Sequence, residues 1–233
     1  MKKHVIFLLI MGMLMCAAST LQAQTRSDER KNQKVLSKAE KDALNDLKSR
    51  AIKPARKEAK SLSKEGFNEF AGDLPMEMQL QDFWVLRRQK DAIGAPKYIT
   101  AFGEGVAKTQ GAAQLLAMEI ARTTLASKIE TNVNQIIEQK IAADQENTKN
   151  AESITKVVSG AKSYVVERLQ YVQTGFVAFQ ELPGNQMKVR VNIYYNAEQA
   201  MEIARKALAA KAKVEMEEEA DILIDEINRL LDR

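Results

Sequence analysis

The chain has 233 residues, of which 45% are hydrophobic, 28% charged and 6% aromatic, with a formal net charge of +4. That length allows one or two domains with a buried core, and the composition fits a soluble, helix-rich chain rather than a disordered or membrane-spanning one. There is one cysteine and one histidine, which excludes a disulfide framework and narrows the available catalytic chemistry.

Lys2 and Lys3 form a basic start, Val5 to Cys16 an apolar stretch, and Leu21-Gln22-Ala23 a small-residue site. This is the pattern of an export signal, with cleavage expected after Ala23, and the stretch is short for a bilayer span. Met15 stands before Cys16, where a lipid-modified cysteine follows a small residue, so Cys16 reads as an apolar member of the signal rather than a lipid anchor. His4 and Cys16 both leave with the signal. The expected mature chain then has no thiol nucleophile and no imidazole base. Triads of the Ser-His-Asp or Cys-His type and zinc sites built from His and Cys fall away. Carboxylate, lysine or tyrosine chemistry remains. The expected location is the periplasm or the periphery of the outer membrane.

From Val35 to Lys64 apolar residues recur at helical spacing, Ser37 and Glu40 give a capping box, Pro54 marks a break or kink, and Gly66 a stop. Between Gln24 and Gly66 basic residues clearly outnumber acidic ones. They are spaced around the helix with no aromatics for base stacking, so a solvated face is expected, no nucleic-acid partner, and at most peripheral contact with a membrane. Phe67 to Lys90 reads as a connecting region in which Leu80, Phe83 and Trp84 pack a short helix on the core. Ile93-Gly94-Ala95-Pro96 signals a turn. Tyr98 to Val106 reads as a strand, and Gln110 to Lys140 as a long helix whose buried stripe is Ala113, Ala117, Ala121, Leu125, Ile129, Val133, Ile136 and Lys140.

Asp144 to Asn150 reads as a loop, and Ile154, Val157, Val158 and Ala161 as a shorter helix ending between Ala161 and Val165. Leu169 to Glu181 and Met187 to Tyr195 read as two strands joined by a hairpin turn at Pro183-Gly184-Asn185. The second alternates, with Lys188, Arg190, Asn192 and Tyr194 on a wet face. Asn196 caps a last helix expected to run to the C-terminus, its end strongly acidic. The basic first helix and acidic last helix are complementary, which suggests that they pack on each other or on a partner.

Gly103-x-Gly105 lies between a strand and a helix, where a dinucleotide fingerprint would sit. The third glycine is absent, since position 108 is lysine, and no Gly-Lys-Ser/Thr loop is present. These glycines read chiefly as permitting a bulge and close backbone packing. A weak anion site at the helix N-terminus leaves Gly103, Gly105, Lys108 and Thr109 as candidate ligand contacts. Glu217, Glu218, Glu219, Asp221, Asp225 and Glu226 point around a helix and do not converge on a metal. No catalytic residue, metal site or cofactor is expected.

The run Tyr98-Ile-Thr-Ala-Phe-Gly-Glu-Gly-Val-Ala107, with Ala121-Arg122 and Leu125-Ala126 on the following helix, resembles the LPP-twenty outer-membrane lipoprotein family, which is related to the N-terminal domain of the flagellar assembly protein T. The resemblance covers Tyr98 to Leu208, and the missing lipobox departs from the family. It implies an α+β domain with a long helix on a small antiparallel sheet. The full expectation is an α+β fold of that kind with extended amphipathic helices at both ends. It divides into a signal at 1–23, a basic N-terminal helix at 24–66, a connecting region at 67–96, the α+β domain at 97–208 and an acidic C-terminal extension of the last helix at 209–233.

The function expected is that of an exported, non-catalytic cell-envelope protein acting through contact with an envelope partner or by self-association. The alternative is a periplasmic small-ligand-binding or hydrolytic protein. Its site would lie near the loop at 103–111, with Lys108 or Tyr194 as polar contacts.

Overall fold

The structure, a computed structural model, describes residues 38, 41–143, 150–169 and 171–232. The export signal with His4, Cys16 and Ala23, the Ser37–Glu40 capping box and residues 144–149 of the expected loop Asp144–Asn150 lie outside the described residues. The chain divides into two units, one ending at Ser49 and one covering Arg50–Arg233. In the first, residues 41–49 are helical. The second holds helix α1 (residues 50–64), followed by β1 (Phe67–Asn68), α2 (Met76–Arg88), β2 (Tyr98–Ala107), α3 (Gln110–Ala143), α4 (Ala151–Val158), α5 (Lys162–Arg168), β3 (Gln173–Leu182), β4 (Gln186–Asn196), α6 (Ala197–Glu215) and α7 (Ala220–Leu231). This is the expected α+β architecture, a long helix packed on a small antiparallel sheet with further helices around it. No helix among the described residues is long and apolar enough to cross a membrane.

The sheet has four strands in the order β1-β3-β4-β2, all antiparallel. Strands β3 and β4 are the expected hairpin, closed by the three-residue loop Pro183-Gly184-Asn185, in which Gly184 at φ 80° and Asn185 at φ 57° take left-handed conformations. In the register of β2 on β4, Gly103 faces Val191 and Gly105 faces Val189. Side chains alternate between faces along a strand. One face therefore carries Ala101, Gly103, Gly105, Val189, Val191 and Ile193, and α3 covers it.

Helix α3 approaches unusually closely because small residues meet. A Cβ placed on Gly103 would lie 2.1 Å from the Ala117 oxygen, and one on Gly105 would lie 2.3 Å from the Ala113 oxygen. Ala113, Ala117 and Ala121 are fully buried beneath this contact. Further along α3 the buried stripe is Leu125, Ile129, Val133 and Ile137. The helix thus keeps its four-residue step at Ile137, where the sequence reading had placed Ile136. Lys140 lies outside the core and donates to the Asp232 oxygen at 3.2 Å.

The other sheet face is covered at the β1 and β3 end. Ala55, Ala59 and Leu62 of α1, Met76 and Leu80 of α2, and Phe67, Phe176 and Ala178 form one apolar cluster there. Residues 67–96 are thus built into the fold rather than being a connector: β1 extends the sheet and α2 lies across it, with Phe83 against Gly175. Trp84 is the expected anchor, half-buried, donating from Nε1 to Glu58 Oε2 at 2.9 Å. Pro54 does not break α1. Proline removes the N–H that the carbonyl four residues back would accept. That carbonyl, on Arg50, accepts instead from Arg88 Nη1 at 3.4 Å. The wet face expected on β4 is only partly wet, since Asn192 is buried.

Two helices replace the single short one expected before β3, because Gly160 at φ 75° turns the chain between α4 and α5. The last helix does not run to the C-terminus. Asn196 caps α6 as expected, its Oδ1 accepting from Glu198 and Gln199 amides, but α6 ends at Glu215 and α7 is a separate helix. Glu217, Glu218 and Glu219 occupy the turn between them. Turning back buries Leu223, Ile227, Leu230 and Leu231, each worth about 1.5–3 kcal/mol when removed from water. The apolar stripe of the last helix, expected to pack on the basic first helix or on a partner, is taken up by α3, α4 and α6.

Lys211 of α6 is buried. Its Nζ donates to the Ser159 carbonyl and, at 3.2 Å, to the Lys156 carbonyl, with Glu215 at 3.8 Å. It thereby satisfies carbonyls left over at the C-terminal end of α4.

Two stability measurements follow from this packing. Gly103→Ala should lower the unfolding free energy by about 3 kcal/mol, because the added methyl overlaps main-chain atoms that cannot move alone. Lys211→Met should cost about 1–3 kcal/mol by stranding buried carbonyls. Urea unfolding followed by circular dichroism reads both, and a change under about 0.5 kcal/mol at either position would contradict the packing described.

Candidate functional site

The four candidate ligand contacts do not converge on a cavity. Gly103 and Gly105 turn their Cα atoms into the α3 backbone, which fills the space a ligand would need there. Thr109 Oγ1 accepts from the Ala112 amide at 3.3 Å, so it caps the start of α3. Lys108 is exposed. Tyr194, the other polar contact considered, stacks edge-on with Tyr98 at 5.5 Å between ring centroids. Its hydroxyl is held above the ordinary 10.0, first by burial and then by Tyr98.

A concavity lies elsewhere, where the turn before β2 meets the ends of α6 and α7. It is an open depression of about 860 Å³ lined by Lys90, Ile93, Lys97, Glu198, Glu202 and Arg205, among others. Asp91 shapes its rim, with Oδ1 accepting from the Ile93 and Ala95 amides. Arg205 is committed to structure, reaching the Asn228 carbonyl at 3.1 Å and Asp232 Oδ1 at 2.8 Å. The remaining charges are mixed in sign, so the depression selects no particular ligand charge. The sequence reading missed it because it depends on Tyr98 pairing with Asn196, a contact between distant segments.

A more distinctive feature is the outer edge of β2. Among the described residues this strand pairs with β4 alone, and its other side carries no strand. Antiparallel pairing directs both backbone groups of alternate residues toward the same neighbour. The Lys97 carbonyl accepts from the Ala197 amide, which turns Lys97 and its alternates Ile99, Ala101, Gly103 and Gly105 toward β4. Tyr98, Thr100, Phe102, Glu104 and Val106 therefore direct their N–H and C=O groups outward. Lys128 Nζ reaching the Thr100 oxygen from outside, at 2.7 Å, agrees with this phase. Among the described residues no backbone hydrogen bond engages the outward groups of Phe102, Glu104 or Val106.

Apolar side chains flank this edge on both faces. On the face away from α3, Phe102 is 55% and Val106 44% exposed. Glu104 between them is held by Lys188 at 2.8 Å and Arg190 at 3.6 Å, and the Arg190 guanidinium lies over the Phe102 ring at 5.4 Å. One carboxylate thus faces two cations, which leaves a surplus of one positive charge beside the edge. On the α3 face, Leu116 is 48% and Ile120 46% exposed. Leu116 sits beside Gly105, and Ile120 is one turn further on. The opposite flank of α3 carries Met118 against the main core, so Leu116 and Ile120 lie on the side of the open edge. An open edge between apolar flanks is a template for strand pairing unless something covers it. The sequence held a partial signal: Leu115, Leu116 and Ile120 fall off the buried stripe of α3.

None of the protein-family models, curated proteins or solved structures compared with the chain matches it.

If these apolar residues serve contact rather than folding, replacing Phe102 or Ile120 by Ser should leave the unfolding free energy within about 0.5 kcal/mol of wild type. Urea unfolding checks this, and a loss above about 1.5 kcal/mol would place them in the core instead.

Proposed function

We propose that the chain is an exported, non-catalytic cell-envelope protein that works by binding another protein, with the outer edge of β2 as its contact surface. The observation that carries this reading is the open edge at Phe102, Glu104 and Val106 with apolar side chains on both of its faces. Exposed apolar patches at a sheet edge are a hazard for a lone protein and an asset for one with a partner. The signal pattern ending at Ala23 supports export, and the mature chain expected after cleavage holds neither histidine nor cysteine for catalysis. The resemblance of Tyr98–Leu208 to the LPP-twenty family belongs to the same proposal and agrees with an envelope role.

Photo-cross-linking in cells tests it. A photoreactive side chain at position 102 or 120 should give a discrete higher-mass adduct in the envelope fraction, and one at Ile222, an exposed apolar position on α7, should not. Equal adducts at all three positions, or none at 102 and 120, would overturn the reading.

A further inference from the structure

Resting on the protein-contact reading above, we infer that the outer edge of β2 takes up an extended segment of a partner chain as a fifth strand, and that this segment is apolar on both faces with acidic residues at its ends. Four observations specify it. The outward N–H and C=O groups of Phe102, Glu104 and Val106 form a ladder with no backbone partner among the described residues, and main-chain pairing is what an added strand supplies. Lys128 on the Thr100 carbonyl closes the ladder at one end, so the open stretch runs over five residues, about 17 Å at strand rise.

Side chains of the added strand would alternate between the two faces. On one they meet Phe102 and Val106, and on the other Leu116 and Ile120. Both faces of the segment are therefore apolar, unlike a strand at a sheet surface. Lys128 stands at one end of the open stretch, and Lys108, exposed just beyond Ala107, at the other. Acidic flanks on the segment complement both.

The same geometry argues against a second copy pairing β2 to β2. Adjacent strands lie about 4.8 Å apart, whereas packed helices need about 8–10 Å between axes. Gly103 and Gly105 bring α3 onto β2 itself. Two chains joined edge to edge, same face up, would force their α3 helices together. The occupant must arrive as a strand with no helix above it.

The test uses the signal-free chain and a capped synthetic heptapeptide, Glu-Val-Ile-Val-Ile-Val-Glu, with amide hydrogen exchange read by NMR. At saturating peptide the Phe102, Glu104 and Val106 amides should exchange at least about tenfold more slowly, while those of Ala101, Gly103 and Gly105, already paired to β4, stay unchanged. A peptide with lysine at both ends, or one N-methylated at alternate residues, should give no such protection. Val106→Pro removes one outward N–H without touching the β4 ladder and should abolish the protection. Ile120→Lys, at an exposed helical position, should weaken binding at least about tenfold with the fold intact.

Absence of protection in the wild-type chain would overturn strand addition, as would protection indifferent to both substitutions. Protection that appears without peptide and grows with protein concentration would assign the edge to a second copy and overturn the commitment to a partner segment. Adducts at position 102 in cells without peptide protection would leave the protein-contact reading standing and remove strand addition alone. Failure of both would remove both.

Discussion

The contact of α3 on β2 sets the rest of the structure. Gly103 and Gly105 leave no side chain between strand and helix, and Ala113, Ala117 and Ala121 answer with little more than backbone. A helix seated this low covers the inner face of β2 with its own main chain. Larger apolar residues then take over along α3, where Leu125, Ile129, Val133 and Ile137 meet α4, α5, α6 and α7. The long helix thus spans two environments, a tight one of small residues over the strand and a deep one of branched residues among helices. The same contact determines what the open edge of β2 can accept, because it leaves no room for a second helix beside α3.

Around this axis the two sheet faces are treated differently. The α3 face is sealed along its length. Among the described residues the other is sealed where α1 and α2 cross β1 and β3, and its remainder carries Phe102 and Val106 beside the ion-paired cluster of Glu104, Lys188 and Arg190. Carbonyls left over at helix breaks and ends are satisfied by long side chains from neighbouring elements: Arg88 serves the exposed carbonyl orphaned by Pro54, Lys211 the end of α4, and Arg205 the end of α7. Binding of a partner at the β2 edge would leave these braces in place.

Much of the fold was legible in the sequence because its strongest signals are local. The alternation in Met187–Tyr195, the turn at Gly184-Asn185, the alanine stripe of α3 and the Asn196 cap each follow from spacing within a few residues, and each has its counterpart in the structure. What escaped depends on tertiary partners. Strand β1 is two residues long and exists only through β3. The break before α7 reflects where Leu223 and Ile227 find burial, and a helical pattern alone does not say that the helix must turn back. Ile137 rather than Ile136 faces inward because the neighbouring helices fix the rotation of α3. The close backbone approach expected at Gly103 and Gly105 is present, but the β2–β4 register runs through both without the expected bulge, and their use as ligand contacts required a space that α3 occupies. The open edge could not be read at all from one strand, since which side of β2 is paired depends on β4, some eighty residues later by count along the chain.

Among the described residues the outer backbone groups of β2 have no backbone partner, and the proposed contact requires that they stand open for one. Amide exchange in the signal-free chain by itself, without peptide, reads this directly at single-residue resolution. The account requires a strict alternation, with Ala101, Gly103 and Gly105 strongly protected and Phe102, Glu104 and Val106 exchanging freely. Uniform protection along the strand would mean that the protein already covers its own edge, and the account would be wrong.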